Sequence, residues 1–204
     1  MQPTPRHSPA RAAFSLIELM VVIAIMAVLS AMMYSSASGR HQRTLKELCS
    51  DNLLKIYVSL QIYANDTKGI LPQSTNAQTS EDVLDVLVPK YSADTSIFIC
   101  PGGRDYDFPS GDSLRQHKIS YAYYMGRRLD NPPATPLMSD RQVNTAWKNT
   151  NDCVFSLDGK PPGNNHHKYG GNFLFCDGSV QSSPAQLTFS IPPTPGVVLL
   201  NPKP

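Results

Sequence analysis

A chain of 204 residues has room for one ordinary domain and an appendage. With 18 Lys and Arg against 16 Asp and Glu, it is close to neutral. No basic stripe interleaved with aromatics appears, which argues against nucleic acid as a partner. The 18 prolines are roughly twice the average share; they concentrate after Leu71 and favour strands, turns and loops over a helical bundle.

Met1 to Ala13 forms a short leader with Arg6, His7 and Arg11 and no acid. Phe14 to Tyr34 is then a run of 21 residues in which Glu18 is the only formal charge. As a helix rising about 1.5 Å per residue it spans a hydrocarbon core of about 30 Å. The positive-inside rule keeps the leader in the cytoplasm and sends the rest across, in a single pass.

Glu18 needs a reason, because a charge in lipid costs roughly 2.5 to 3.5 kcal/mol on insertion scales. As a plain anchor, or as a secretory signal cut near Ser36 or Ser38, the segment gives Glu18 no use. It is also long for a signal's apolar core of about 7 to 15 residues. Cleavage between Ala13 and Phe14 does give it a use. Phe14 then carries a new α-amino group one helical turn from Glu18. In staggered helices the amine of one subunit neutralises Glu18 of its neighbour, and a paired buried charge is tolerable where a lone one is not. Glu18 would then set the axial register of a filament.

Beyond Tyr34 the apolar residues Leu48, Cys49, Leu53, Ile56, Tyr57, Leu60 and Tyr63 recur at helical spacing, with Lys46, Glu47, Asp51, Asn52, Lys55 and Gln61 between them. This predicts an amphipathic continuation of the helix over 35–66, stopped by Asn65-Asp66, Gly69 and Pro72. One helix from Phe14 to Asp66 would be roughly 80 Å long.

Residues 67–204 read as an extracytoplasmic α+β head with a Pro-rich tail. Glu81 to Leu87 suggests a short helix. The short apolar or alternating runs are Ser96 to Ile99, Ile119 to Met125, Cys153 to Leu157, Asn172 to Cys176 and Ser179 to Ser182. Asp177-Gly178 between the last two predicts a hairpin with a two-residue type I′ turn. The tail's "GVVLLNPKP" fits either an edge strand or a contact for a neighbouring subunit. The expected fold is a long N-terminal helix laid against a small antiparallel sheet.

Several segments together resemble a known family. "AFSLIELMVVIAIMAVL" is similar to the prepilin cleavage and methylation segment of type IV pilins and type II secretion pseudopilins, with Ala13 standing where that family usually has Gly. "CSDNLLKIYVSLQIYANDTKGILP" and the Phe98-x-Cys100-Pro101 element resemble a pseudopilin-like, prepilin-type processing-associated family. So does the spacing of His167 and Asp177-Gly178, with nine residues, Lys168 to Cys176, between them. The resemblance implies cleavage and N-methylation at Phe14 by a prepilin peptidase. It also implies an inner-membrane location, an assembly platform and filament partners, with Glu18 in assembly.

In the head, Asp177 reads first as a turn residue. A second reading groups His167 and Asp177 with Asp140 or Asp158 around a metal or a glycan hydroxyl. Zinc would suit His with carboxylates, and calcium would want mostly oxygens. His166-His167 with Gly170-Gly171 fits equally a loop whose imidazole caps the hairpin. Asp105, Asp107 and Asp112 lack the order of a calcium loop and read as a solvated segment. Cys49, Cys100, Cys153 and Cys176 allow three pairings if all four bond, while Cys176 also suits a buried strand. No nucleophile elbow, zinc-protease helix motif or phosphate loop is present, so no enzyme and no cofactor is expected. The alternative is a membrane-tethered binding module, or weak hydrolase, for envelope polysaccharide that uses His167 and Asp177.

Overall fold

The computed structural model describes residues 15–34, 37–143, 153–186 and 196–204. The chain divides into two compact units, Met1–Arg40 and His41–Pro204. In the first, α1 runs Leu16–Tyr34. Every large apolar side chain that it presents, from Leu16 to Met32, is at least 53% exposed. A helix that is apolar all round must be covered by something other than water.

The second helix, α2, spans Ala37–Asp66, and from His41 onward it belongs to the head. The residues between α1 and α2, 35–36, lie outside the described set, so the expected single helix is described as two segments. Cys49, Leu53, Ile56, Leu60 and Ala64 form the buried stripe of α2, at the spacing one helix face requires. Past Asp66 the chain turns back through Lys68 and Gly69, both at positive φ. The Gly69 N–H donates to the Ala64 carbonyl at 2.7 Å, which closes the helix end.

The predicted short helix is present as α3, Ser80–Leu84, continued by a 3-10 turn at Asp85–Leu87. Five strands follow: β1 Tyr121–Met125, β2 Pro136–Asp140, β3 Gly171–Phe175, β4 Val180–Ser183 and β5 Val198–Leu200. They form one sheet in the order β4-β3-β2-β1-β5, with every neighbouring pair antiparallel. One face carries Tyr121, Tyr123, Met138 and Leu174 into a core shared with the buried stripe of α2.

Two of the apolar runs are not strands. Ser96–Phe98 is a 3-10 turn that buries Ile97 and Phe98. Residues 153–157 form no strand either, because Val154 and Phe155 instead cover the second face of β3 against Phe173 and Phe175. With both faces covered, β3 is buried at every position. The expected type I′ turn is also corrected. The Gly178 N–H donates to the Phe175 carbonyl and the Phe175 N–H to the Ser179 carbonyl, making a three-residue loop. Of the two turn residues only Gly178 has positive φ, at +84°, so Asp177 sits in the right-handed region of a type I turn and Gly178 forms the bulge.

Gly178 also meets α2. A Cβ there would lie 2.5 Å from the Tyr57 ring, and the Tyr57 hydroxyl donates to the Cys176 carbonyl at 2.9 Å. Gly178→Ala is therefore expected to destabilise the full chain in detergent by about 1 to 3 kcal/mol, read as a lower urea midpoint. An unchanged midpoint would mean that the hairpin tip does not dock on α2.

Candidate functional site

Two places carry residues that packing alone does not call for. The first is the start of α1. The Ser15 N–H donates to Glu18 Oε2 at 3.2 Å, so the carboxylate caps its own helix's first turn, where an acid is favoured. Glu18 is exposed. The leader and the expected cleavage residues Ala13 and Phe14 lie outside the described residues. Among the described residues no helix is long and apolar enough to cross a membrane. The 19 residues of α1 rise about 28 Å, just short of a hydrocarbon core of about 30 Å.

The second place is buried in the head, where four separated segments meet. Cys49 on α2 is disulfide-bonded to Cys100, which follows the Ser96–Phe98 turn, across 51 residues of sequence. Asp140 closes β2, and His166 lies in the loop before β3. Both are wholly buried. His166 Nε2 stands 3.3 Å from Asp140 Oδ2 and 3.5 Å from Cys100 Sγ. Asp140 also accepts from Asn165 Nδ2 at 2.9 Å and from the Asn172 N–H at 2.7 Å. Gly102 is the space that admits the imidazole, since a Cβ there would lie 2.6 Å from His166 Nδ1.

Burial alone would raise the pKa of Asp140. The charge His166 carries when protonated outweighs it, together with hydrogen bonds from His166, Asn165 and the Asn172 N–H, and holds the carboxyl below its usual range. Nearby, Lys46 donates to the carbonyls of Tyr169 and Ser183, and burial lowers its pKa against the opposing pull of Asp140.

The sequence-predicted head residues fall differently. His167 is exposed, at φ +52°, in the turn ahead of β3. Asp177 is exposed at the hairpin tip, where its Oδ1 accepts from the Ser179 N–H and hydroxyl. Those hydrogen bonds lower its pKa. The expected grouping of His167 and Asp177 with Asp140 is thus corrected. Among the described residues the cluster of metal-capable donors around Asp140 is Cys49, Cys100 and His166. Of the His166-His167 pair it is the neighbour that turns inward, because the turn sends His167 to solvent.

Asp158 is exposed and held by Ser156 and the Lys160 N–H. Asp105 is bound by Ser120 and Arg141, Asp112 faces His117, and Asp107 is exposed; no calcium loop forms. Cys153 and Cys176 are free thiols, and burial pushes the Cys176 pKa up to about 11. A cleft of about 730 Å³ beside Tyr106, Phe108 and His117 is lined by neither His167 nor Asp177.

Two outcomes follow for the centre. Reducing the disulfide in metal-free buffer should lower stability by roughly 4 kcal/mol from loop entropy, measured by urea unfolding; no loss would mean that the bond constrains nothing. For the disulfide-bonded chain, a folded Asp140 pKa below the unfolded value of about 3.9 places its stabilisation above that pH. The stabilisation is lost as pH falls through the folded value. Asp140→Asn should therefore lower stability at neutral pH and flatten the acid branch of the stability curve. A parallel acid branch in the variant would contradict this.

Residues 8–34 match the family model for the prokaryotic N-terminal methylation motif. No curated protein and no solved structure matches the chain. The matched segment contains Ala13, Phe14, Glu18 and the whole of α1, and it is joined to a helix-and-sheet head of the kind expected behind such a motif. The chain thus bears the N-terminal signature of a pilin- or pseudopilin-like protein of the prepilin type.

Proposed function

We propose that the chain is a structural subunit, not an enzyme, of a type II secretion or type IV pilus-like filament. A prepilin peptidase cuts after Ala13 and methylates Phe14. The mature chain waits in the inner membrane as a single-pass protein, head outward, and is drawn by an assembly platform into a filament whose core is made of α1 helices. The observation that carries this reading is α1 itself, an apolar helix exposed on every side and lying within the methylation motif. Lipid covers such a helix before assembly, and neighbouring copies cover it afterwards.

A second feature supports the reading. On the outer side of α2, Leu54, Val58 and Ile62 are 40%, 53% and 48% exposed. They fall four residues apart on a single helix row. This row faces away from the stripe that binds the head and suits contact with a neighbouring subunit.

Glu18 is the test. Its present partner is a backbone N–H in its own turn, which leaves the carboxylate available to the methylated amine of an adjacent Phe14. In the filament, Glu18→Gln removes one member of a buried pair, a loss of roughly 3 to 5 kcal/mol per contact. The variant should still be processed and stay in the membrane, but its cross-linking to wild-type subunits should fall at least tenfold. Wild-type cross-linking by the variant would overturn the reading.

A further inference from the structure

We propose that, once the Cys49–Cys100 bond is reduced, Cys49, Cys100, Asp140 and His166 form a four-donor binding site for a zinc ion. The four groups come from four different parts of the chain, yet their Sγ, Nε2 and carboxylate oxygen atoms all lie within 4.8 Å of one another. Two thiolates, an imidazole and one carboxylate are a donor set for tetrahedral zinc. Calcium, which takes six to eight oxygens, is excluded.

The spacing supports this assignment. Bonds of about 2.3 Å to sulfur and about 2.0 to 2.1 Å to nitrogen and oxygen imply tetrahedral edges of about 3.6 Å for N to S and about 3.3 Å for N to O. The observed separations are 3.5 Å from His166 Nε2 to Cys100 Sγ and 3.3 Å from His166 Nε2 to Asp140 Oδ2. Those two edges already have the size a zinc ion needs. The sulfurs, joined in the disulfide, part on reduction, and the remaining separations, none above 4.8 Å, close around the ion.

The surroundings act as a supporting shell. Asn165 and the Asn172 N–H fix the Asp140 carboxylate, as partners of metal-bound carboxylates do. His166 Nε2 points into the cluster, 3.3 Å from Asp140 Oδ2, and zinc would take the place of the proton shared there; Nδ1 is buried without a partner. Two thiolates and a carboxylate against a divalent cation leave one negative charge, which faces Lys46 and the two asparagines. All four donors belong to residues at most 1% exposed, so the ion would be dry, and loading would occur as the reduced chain folds.

The exchange balances. An external dithiol supplies two electrons and two protons and itself becomes a disulfide, while the Cys49–Cys100 bond breaks to two thiols. Zinc then displaces both thiol protons to solvent. Transfer of two electrons from the sulfurs to a partner disulfide, which takes up two protons from solvent and becomes a dithiol, reforms the bond and expels the ion. The head would thereby have two closures of the same junction between α2 and the sheet, one made by a covalent bond and one by a metal.

The test uses the full chain in detergent, refolded either oxidised or with a dithiol reductant, exposed to zinc or cobalt(II) and separated from free metal. The reduced chain should hold about one zinc and the disulfide form none. Cobalt should show an intense tetrahedral spectrum with sulfur charge transfer. Asp140→Asn and His166→Ala should each weaken zinc at least tenfold, and Cys153→Ser should change nothing. Should a variant fail to fold, the wild-type comparison of redox states and the cobalt spectrum still decide. No uptake by the reduced chain would overturn the proposal. So would an octahedral, sulfur-free cobalt spectrum, or wild-type affinity in the folded variants.

Discussion

An α-helix whose large side chains are apolar on every side cannot satisfy itself in water, and this constraint orders everything else in the chain. At about 25 cal/mol per Å² of apolar surface, leaving α1 uncovered is far more costly than any single contact in the head can repay. The helix therefore calls for a cover other than water, which the proposed assembly supplies. Glu18 at its first turn is tolerable under such a cover only with a partner. In the proposed filament, the residue that penalises a lone helix favours a registered bundle of them.

The helix α2 is built for a different condition, and its two apolar rows show how. The inner row, Cys49 to Ala64, is closed off by the sheet, while Leu54, Val58 and Ile62 stay outside it. The junction with the head is fastened at several points by bonds that ignore side-chain shape. Asn52 donates to the Ile99 carbonyl, Tyr57 to the Cys176 carbonyl, and Asn172 to the Lys46 carbonyl, with the disulfide beside them. The Asp140 centre lies where these fastenings converge, which is why a carboxylate can be wholly buried there. Each of its oxygens has a donor, and the loop carrying His166 is held at the same time.

Much of this was legible in the residues. The periodicity from Leu48 to Tyr63, the stop at Gly69, the short helix near Glu81 and the strands around Tyr123 and Leu174 all follow from pattern and turn chemistry. The tail's Val198–Leu200 took the first of its two readings and became the edge strand beside β1. Strand β2 was not legible, because Pro136 opens it and Ser139 and Asp140 give it a polar end. Asp140 points inward because distant partners, Asn165 and His166, meet it, and Ser139 because Gln142 donates to its hydroxyl. The choice between His166 and His167 was hidden for the same reason, since adjacent identical residues differ only in which way a turn sends them. The pairing of Cys49 with Cys100, and not with Cys153 or Cys176, likewise depends on the tertiary meeting of α2 with the coil after Phe98. The spacing from His167 to Asp177-Gly178 was visible, but its physical content is a hairpin tip seated on Tyr57, with Gly178 required there by its φ and by the ring's closeness.

The central claim is that the chain is matured at the start of its apolar helix for assembly. The most direct measurement is the intact mass and N-terminal sequence of the protein recovered from its native membrane. The account predicts a chain beginning at Phe14 and heavier by one methyl group than its sequence requires. A chain that begins at Met1, or one cut near Gly39 and released without α1, would contradict it.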